Sequence, residues 1–220
     1  MILQADAKGL EVVAAAYLSQ DKVMMEEIRS GEDLHINNQK KFNLPTKLIA
    51  KTFMFRLIYG GTHFANDPDF MPVSKSVDFW NNVIFETYQK YQGLGEWHSK
   101  LMKEAGATGM YICPTGRTYK YELDKYGNLP RTTILNYPVQ GLGATLVALA
   151  RVELHRGLKL NPRLRMILIN TIHDSIVMDV PIEEETTAKN ITSDVFYQIP
   201  ALFQTRFGKE FNLPMRCEFK

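Results

Sequence analysis

The apolar residues of PTKLIAKTFMFRLIYGGT, positions 45–62, recur with a helical period, and the polar and aromatic residues between them recur with the same one. Pro45 and Thr46 supply a start, Gly60 and Gly61 a stop, and no breaker lies between, so the pattern predicts one helix roughly 20 Å long. Ile49, Phe53 and Leu57 can pack inward, while Lys47, Lys51, Phe55 and Tyr59 are spaced to lie along one stripe. Two ammonium groups and two rings on one face suit a nucleotide, with cations for phosphates and rings for a sugar and base. The same spacing also suits a half-buried amphipathic helix whose lysines are solvated.

The remaining pattern alternates short strands with helices. Residues 1–5 predict a strand that delivers Asp6 to its end, and GLEVVAAAYLSQ after it has helical composition. Asp6 by itself reads as a helix cap. DKVMMEEIRS predicts a second helix, and the Gly-Glu-Asp-Leu-His that ends at His35 opens a third. A loop with turn-forming Asn, Asp and Pro follows at 63–72, then helices near 74–92 and 94–106. Residues 109–121 predict a hairpin, with Pro-Thr-Gly at its turn and Arg117 just after it, able to meet a phosphate backbone or to be an ordinary exposed ribbon. A long helix is expected from Thr132 to Arg156, with the amides of Asn136 and Gln140 on one face. LRMILINTIHDSIVMDV, 164–180, predicts two apolar strands with His173, Asp174 and Ser175 at the tip between them, which also fits a plain polar turn. Residues 183–207 read as helix and LPMRCEF as a closing strand. No repeat, low-complexity tract or linker divides the chain, so subdomains are expected in place of independent domains.

Composition changes this picture little. The 220 residues, 45% hydrophobic and 23% charged, are those of an ordinary folded protein, and a net charge of +2 confines any nucleic-acid surface to a local patch. Cys113 and Cys217 are too few for a disulfide framework and lack metal-ligand spacing, which points to packing roles in a reducing compartment. The first residues show no basic leader followed by an apolar core, and no apolar run reaches the roughly 18 residues of a membrane span. A cytoplasmic protein with no membrane partner is expected.

Two aspartates at strand ends acquire chemical meaning if their strands are neighbours in one sheet, because the carboxylates then converge. Such a pair can hold two divalent metals, one activating an attacking hydroxyl and one steadying a leaving pyrophosphate.

The order of these motifs resembles that of the family A DNA polymerases, those similar to bacterial DNA polymerase I, over nearly the whole chain. D-A-K-G-L-E-V-V resembles the family's D-Y-S-Q-I-E-L-R and keeps its aspartate as Asp6 and its glutamate as Glu11. Lys47, Lys51, Phe55, Tyr59 and Gly60 resemble R-x-x-x-K-x-x-x-F/Y-G-x-x-Y-G, Asp-Leu-His at 33–35 resembles D-I-H, and Asn136 to Gly141 resembles N-x-P-x-Q-G. Thr-Gly-Arg at 115–117 resembles a G-R-R ribbon, and His173-Asp174-Ser175 resembles H-D-E.

The resemblance implies an α+β fold, an antiparallel palm sheet carrying the catalytic aspartates plus a helical fingers subdomain. Residues 1–30 would be palm, 31–130 mainly fingers with a return to palm near 109–130, and 131–220 palm. It implies that Asp6 and Asp174, with the carbonyl of Ala7, bind two Mg2+ ions, for which Mn2+ can substitute. Lys47, Lys51 and His35 would meet the triphosphate, with Lys51 protonating the leaving group; Phe55 would meet the sugar, Tyr59 the template base, and Glu11 would act as a steric gate against ribose. Arg117, Asn136, Gln140 and His173 would contact primer–template DNA. Among the departures from the family pattern, Val13 and Lys47 stand in place of arginines, Arg56 in place of a glycine and Ser175 in place of a glutamate.

The implied activity is template-directed addition of deoxynucleotides to a primer 3′-OH, with primer–template DNA and dNTPs as partners. The match leaves the family's exonuclease-like domain, thumb and first part of the palm outside the chain, which implies a second polypeptide that supplies them, as in a split phage-type polymerase in a bacterial or phage-infected cell. A non-catalytic DNA-binding or assembly subunit that retains the fold is the alternative. A single-subunit RNA polymerase is disfavoured by Glu11 and by the Asn136 and Gln140 motif.

Overall fold

The structure, a computed structural model, describes residues 1–65, 67–70, 73 and 76–220. In chain order the elements begin with β1 (Ile2–Ala7), α1 (Leu10–Ser19), α2 (Lys22–Ser30), α3 (Leu34–Lys41), α4 (Lys47–Ile58), α5 (Val77–Lys90) and α6 (Gln92–Thr108). They continue with β2 (Met110–Ile112), β3 (Thr118–Lys120), α7 (Arg131–Leu160), β4 (Ile167–Ile172), β5 (Ser175–Asp179), α8 (Glu185–Phe207) and β6 (Cys217–Phe219). This is an α+β protein. It divides into two compact units, Met1–Leu10 with Gln140–Lys220, and Glu11–Val139.

The first unit is built on a four-stranded sheet in the order β4-β5-β1-β6. β1 runs antiparallel to β5, with Ile2 opposite Asp179, Gln4 opposite Val177 and Asp6 opposite Ser175. Successive side chains on a strand point to opposite faces, so Leu3, Ala5, Ile176 and Met178 share one face and all are buried. That face meets α8, where Thr192 Oγ1 lies 3.6 Å from Met178 Sδ, and Ala188, Val195, Phe196, Ile199 and Phe203 are buried along the helix. Gln4, Asp6, Ser175 and Val177 lie on the opposite face. A bulge between Leu168 and Asn170 interrupts the pairing of β4 with β5.

The second unit is mainly helical. Phe53, Phe64, Phe70 and Trp80 form a buried aromatic cluster, with Phe53 stacked on Trp80 at 5.6 Å between centroids and Phe64 edge-on to Phe70 at 5.3 Å. Pairs of this kind add about 0.5–1.5 kcal/mol each beyond their burial. A polar knot ties three helices together: Lys90 Nζ donates to Glu27 at 2.7 Å and to Asn38 at 2.8 Å, and the Tyr91 hydroxyl lies 2.8 Å from the Glu27 carboxylate and 3.0 Å from the Asn38 amide oxygen, with one proton to give to either. β2 and β3 form the expected hairpin, with Met110 opposite Lys120.

Several boundaries differ from the sequence expectation for identifiable reasons. The helix expected near 74–92 spans Val77–Lys90 because Ser76 caps it by accepting from Phe79 N–H, and the proposed start at Ser74 and Lys75 lies outside the described residues. In the expected loop, Pro68–Phe70 forms a short 3-10 turn, while Asn66, Met71 and Pro72 lie outside the described residues. α7 begins at Arg131 and continues to Leu160 through Pro138. Pro138 has no N–H for the carbonyl of Ile134, and the Tyr121 hydroxyl donates to that carbonyl instead, at 3.4 Å. Asp6 is the penultimate residue of β1, and Ser175 opens β5, so the hairpin tip contains only His173 and Asp174.

Candidate active site

Two clusters, one in each unit, collect the residues that the sequence singled out. In the first unit, sheet register carries Asp174 to Asp6. Ile172 and Ser175 pair across β4 and β5, leaving a two-residue turn in which His173 adopts a φ of +53°. Tight hairpin turns demand such a positive φ, and a histidine that accepts it is held there by the strands on either side. Asp6 lies opposite Ser175, and the N–H of Ala7 donates to the Asp174 carbonyl at 3.0 Å. His173 is exposed and Asp174 half-buried.

The Asp6 carboxylate has a defined set of partners. Ser175 Oγ donates to Oδ1, Lys220 Nζ donates to Oδ2 at 2.9 Å, and Gln4 Nε2 donates to Ser175 Oγ at 2.9 Å. Burial pushes the Asp6 carboxyl up, but donation from Ser175 and Lys220, the Lys220 charge and a hydrogen bond with Asp174 outweigh it, so the group is held below the usual carboxylate range. It is ionised at neutral pH.

This donor set fits a divalent cation. An ammonium of the chain itself already faces Asp6, a second carboxylate stands beside it, and both are hard oxygen ligands. Among the described residues no three His, Cys, Asp or Glu side chains gather into a cage. A pair of carboxylates suits an ion that completes its shell with water and phosphate oxygens, as Mg2+ does.

The second cluster follows the helix period of α4. Ile49, Phe53 and Leu57 are buried, Lys47 and Lys51 exposed, and Phe55 and Tyr59 half-buried. Lys51 Nζ lies 5.4 Å from the Phe55 centroid, and the His35 ring stands edge-on to Phe55 at 5.6 Å. Asp33 caps α3 by accepting from His35 N–H at 3.0 Å and Ile36 N–H at 3.1 Å, and it also pairs with Lys47 at 2.5 Å. Lys47 thereby links the start of α4 to that of α3.

Burial lowers the His35 pKa to about 4; Asp33 opposes the shift, and Lys51 and Lys47 add to it. The ring is neutral at pH 7. Its Nδ1 is buried with no hydrogen-bond partner among the described residues, a state that a polar ligand atom would relieve. Tyr59 follows the last turn, its N–H donating to the Phe55 carbonyl at 3.1 Å. Gly60 then turns the chain at a φ of +83°, where an added Cβ would meet Leu135 Cδ1 at 2.7 Å. No other residue fits there without displacement.

The other sequence candidates are distributed over both units. Glu11 is half-exposed in the first turn of α1, Arg117 is exposed just before β3, and Ala7 is buried at the end of β1. Asn136 is half-exposed and Gln140 exposed on α7. Asn136 and Gln140 flank the Pro138 position that the Tyr121 hydroxyl serves.

The sequence did not single out Gln4 or Lys220, and it gave Ser175 and Arg56 no contact of their own. Gln4 lies two residues before Asp6 on the same strand face, a relation that alternation alone could have revealed. The Ser175 hydroxyl and Lys220 carried no local signal. Arg56, unexplained from sequence, has a structural role: it pairs with Asp67, pairs with Asp69 at 2.6 Å and lies 5.2 Å over the Phe70 ring.

Comparison with known proteins accords with this architecture. The model of "DNA polymerase family A" matches residues 1–219. DNA polymerase I of Treponema pallidum is 25% identical over 86% of this chain and 20% of its own length; that of Borreliella burgdorferi is 24% identical over 100% of this chain and 24% of its own. A DNA polymerase of Mycobacterium phage D29 is 29% identical over 81% of this chain and 28% of its own length. The chain thus spans between 20% and 28% of these relatives. The fold matches the POL domain of Pol1 from M. smegmatis, solved in complex with DNA primer-template and dNTP, with a TM-score of 0.81 at 18% identity, over 99% of this chain and 38% of that one. With a family model that covers all but the last residue, this chain belongs to DNA polymerase family A.

Proposed function

We propose that this chain is the catalytic part of a template-directed DNA polymerase, which adds deoxynucleotides to a primer 3′-OH by two-metal phosphoryl transfer. The observation that carries the reading is the Asp6 to Ser175 register, which sets the Asp174 turn beside Asp6 on one sheet. Residues 1–30 and 131–220 are read as palm, and 31–130 as mainly fingers with a return to palm near 109–130.

Asp6, Asp174 and the Ala7 carbonyl would hold Mg2+ ions, with Mn2+ able to substitute, and bound ions would activate the primer hydroxyl and offset charge on the leaving pyrophosphate. Lys47 and Lys51 carry positive charge to the triphosphate, and Lys51 is the proton donor to the leaving group. His35, neutral at pH 7, adds a polar contact without a further charge. Phe55 offers a surface to the sugar and Tyr59 one to the template base, while Glu11 fills the space beside the sugar 2′ carbon. Arg117 contacts the DNA backbone as a point of positive charge, and Asn136, Gln140 and His173 contact primer–template near the reacting end.

The reading includes a second polypeptide that carries the thumb, the rest of the palm and an exonuclease-like domain, in the cytoplasm of a bacterium or phage-infected cell. The sheet edge at β4, where Ile167, Ile169 and Ile172 are exposed, supports it. Among the described residues no helix is long and apolar enough to cross a membrane.

Primer extension with dNTPs, in Mg2+ and in Mn2+, with and without candidate partner chains, tests the reading. Template-dependent incorporation that disappears in Asp174→Ala is expected. Incorporation unaffected by Asp174→Ala, or ATP used as readily as dATP, overturns it.

A further inference from the structure

We propose that Gln4 and Ser175 form a neutral positioning relay, Gln4 Nε2 to Ser175 Oγ to Asp6 Oδ1, that aims the Asp6 carboxylate at its cation. The inference rests on the reading of Asp6 as a cation ligand and adds to it two residues that meet neither metal nor substrate.

Hydrogen-bond bookkeeping fixes the direction of the relay. Gln4 Nε2 can only donate, so at 2.9 Å it takes a lone pair of Ser175 Oγ. The serine hydroxyl has one proton, and Asp6 Oδ1 is the acceptor that receives it. Ser175 is only 2% exposed, so water has little opportunity to replace either partner. Sheet register supplies the rigidity: Asp6 lies opposite Ser175, and Gln4 lies two residues earlier on the same strand face.

One carboxylate oxygen is therefore held by a buried neutral donor, while the other faces Lys220, whose side chain is 62% exposed. The buried contact orients and the exposed one can exchange. An ammonium on a long exposed side chain is loosely held, so an arriving divalent cation can displace it from Oδ2 while Ser175 keeps the carboxylate in place. The family pattern has an acidic residue at position 175, which would bring negative charge; serine brings a donor. Outer-shell partners that orient metal-binding groups carry this kind of influence elsewhere, and their loss weakens metal affinity by about 10- to 100-fold.

The test is Mn2+ binding to the intact chain, read by loss of the free-ion electron paramagnetic resonance signal, with thermal melts to confirm folding. Ser175→Ala is expected to weaken binding about tenfold, Ser175→Thr to restore most of it, and Gln4→Leu to weaken it in the same direction. The double variant is expected to bind about as Ser175→Ala does alone, since Gln4 acts only through the hydroxyl. Gln4 is half-exposed, so its variant keeps the test usable if Ser175→Ala does not fold. Asp6→Asn separates the two claims. If it binds Mn2+ as the wild type does, the cation reading of Asp6 fails. If it loses affinity while Ser175→Ala and Gln4→Leu bind normally, only the relay is overturned, and additive effects of the two relay substitutions overturn it equally.

Discussion

Asp6 and Asp174 come from distant parts of the sequence and meet through strand register, whereas Lys47, Lys51 and Phe55 come from one helix and follow its period, with Tyr59 capping its end. The Asp6 carboxylate is held by a serine hydroxyl and a lysine ammonium, and the Asp174 turn is held through its main-chain carbonyl by the Ala7 amide. Of the helix cations, Lys47 is paired with Asp33 and Lys51 lies near the Phe55 ring, and both are exposed. A sheet site can thus fix ligand geometry to within a hydrogen bond, while a helix site offers charge on flexible stems. The first construction suits metal coordination, the second the capture of a triphosphate.

Substitutions of equal size should therefore have unequal consequences. Asp6→Ala or Asp174→Ala is expected to lower the incorporation rate about 10^3-fold or more, since each removes several kcal/mol of metal-dependent stabilisation. Single-turnover primer extension measures this, and Ser175→Glu, which leaves both aspartates, is expected to retain incorporation. Lys51→Ala is expected to cost about 10- to 100-fold in kcat/KM for dNTP, the worth of one charged hydrogen bond. A loss at Lys51 as large as that at Asp174 would break the contrast between fixed and flexible groups.

Stability offers the next contrast. Gly60→Ala is expected to cost about 2–3 kcal/mol, because it combines positive φ with a 2.7 Å approach to Leu135, whereas Gly116→Ala, at a φ of +81° with open space around it, is expected to cost about 1 kcal/mol. Urea denaturation of the two variants measures the difference.

The helical unit also contains two histidines kept neutral. His98 is buried, its Nδ1 3.0 Å from the Tyr88 hydroxyl and its Nε2 3.1 Å from the Ile58 carbonyl, so Nε2 carries the proton and Nδ1 accepts. Burial, with Arg131 adding to it against the Ile58 hydrogen bond, lowers its pKa to about 3, and burial lowers that of His35 to about 4, each from 6.5. The unfolded chain binds these protons first, so their stability contribution is complete above pH 6.5 and is lost as pH falls towards 4 and then 3. For His98 the loss at pH 5 is about 2 kcal/mol. Denaturation midpoints at pH 7 and pH 5, with the His98 ring followed by NMR, check the sign.

The smallest expected effect is that of Arg56→Ala, about 1 kcal/mol or less, because its ion pairs are partly exposed. Nucleotide incorporation should be nearly unchanged. A large activity loss would show that the Lys47 and Lys51 side of α4 depends on its anchored side.

Legibility in the sequence followed the range of the interactions. The α4 stripe was readable because a helix repeats its own geometry every few residues, and Ile49, Phe53 and Leu57 are buried as that period requires. The Asp33 cap was less readable, since Asp-Leu-His drew attention to His35 while the link to Lys47 depended on how α3 meets α4. Arg56 found its partners beyond the end of its helix, at Asp67 and Asp69.

By itself the sequence determined element types, the helix face and the turn that carries His173 and Asp174, because these depend on local backbone preference and on side-chain periods of two and of 3.6. Only the tertiary structure decided that Ser175 and Lys220 meet Asp6. Strand pairing at long sequence separation selects one register among many, and a shift of one residue would turn Asp6 to the face that now meets α8.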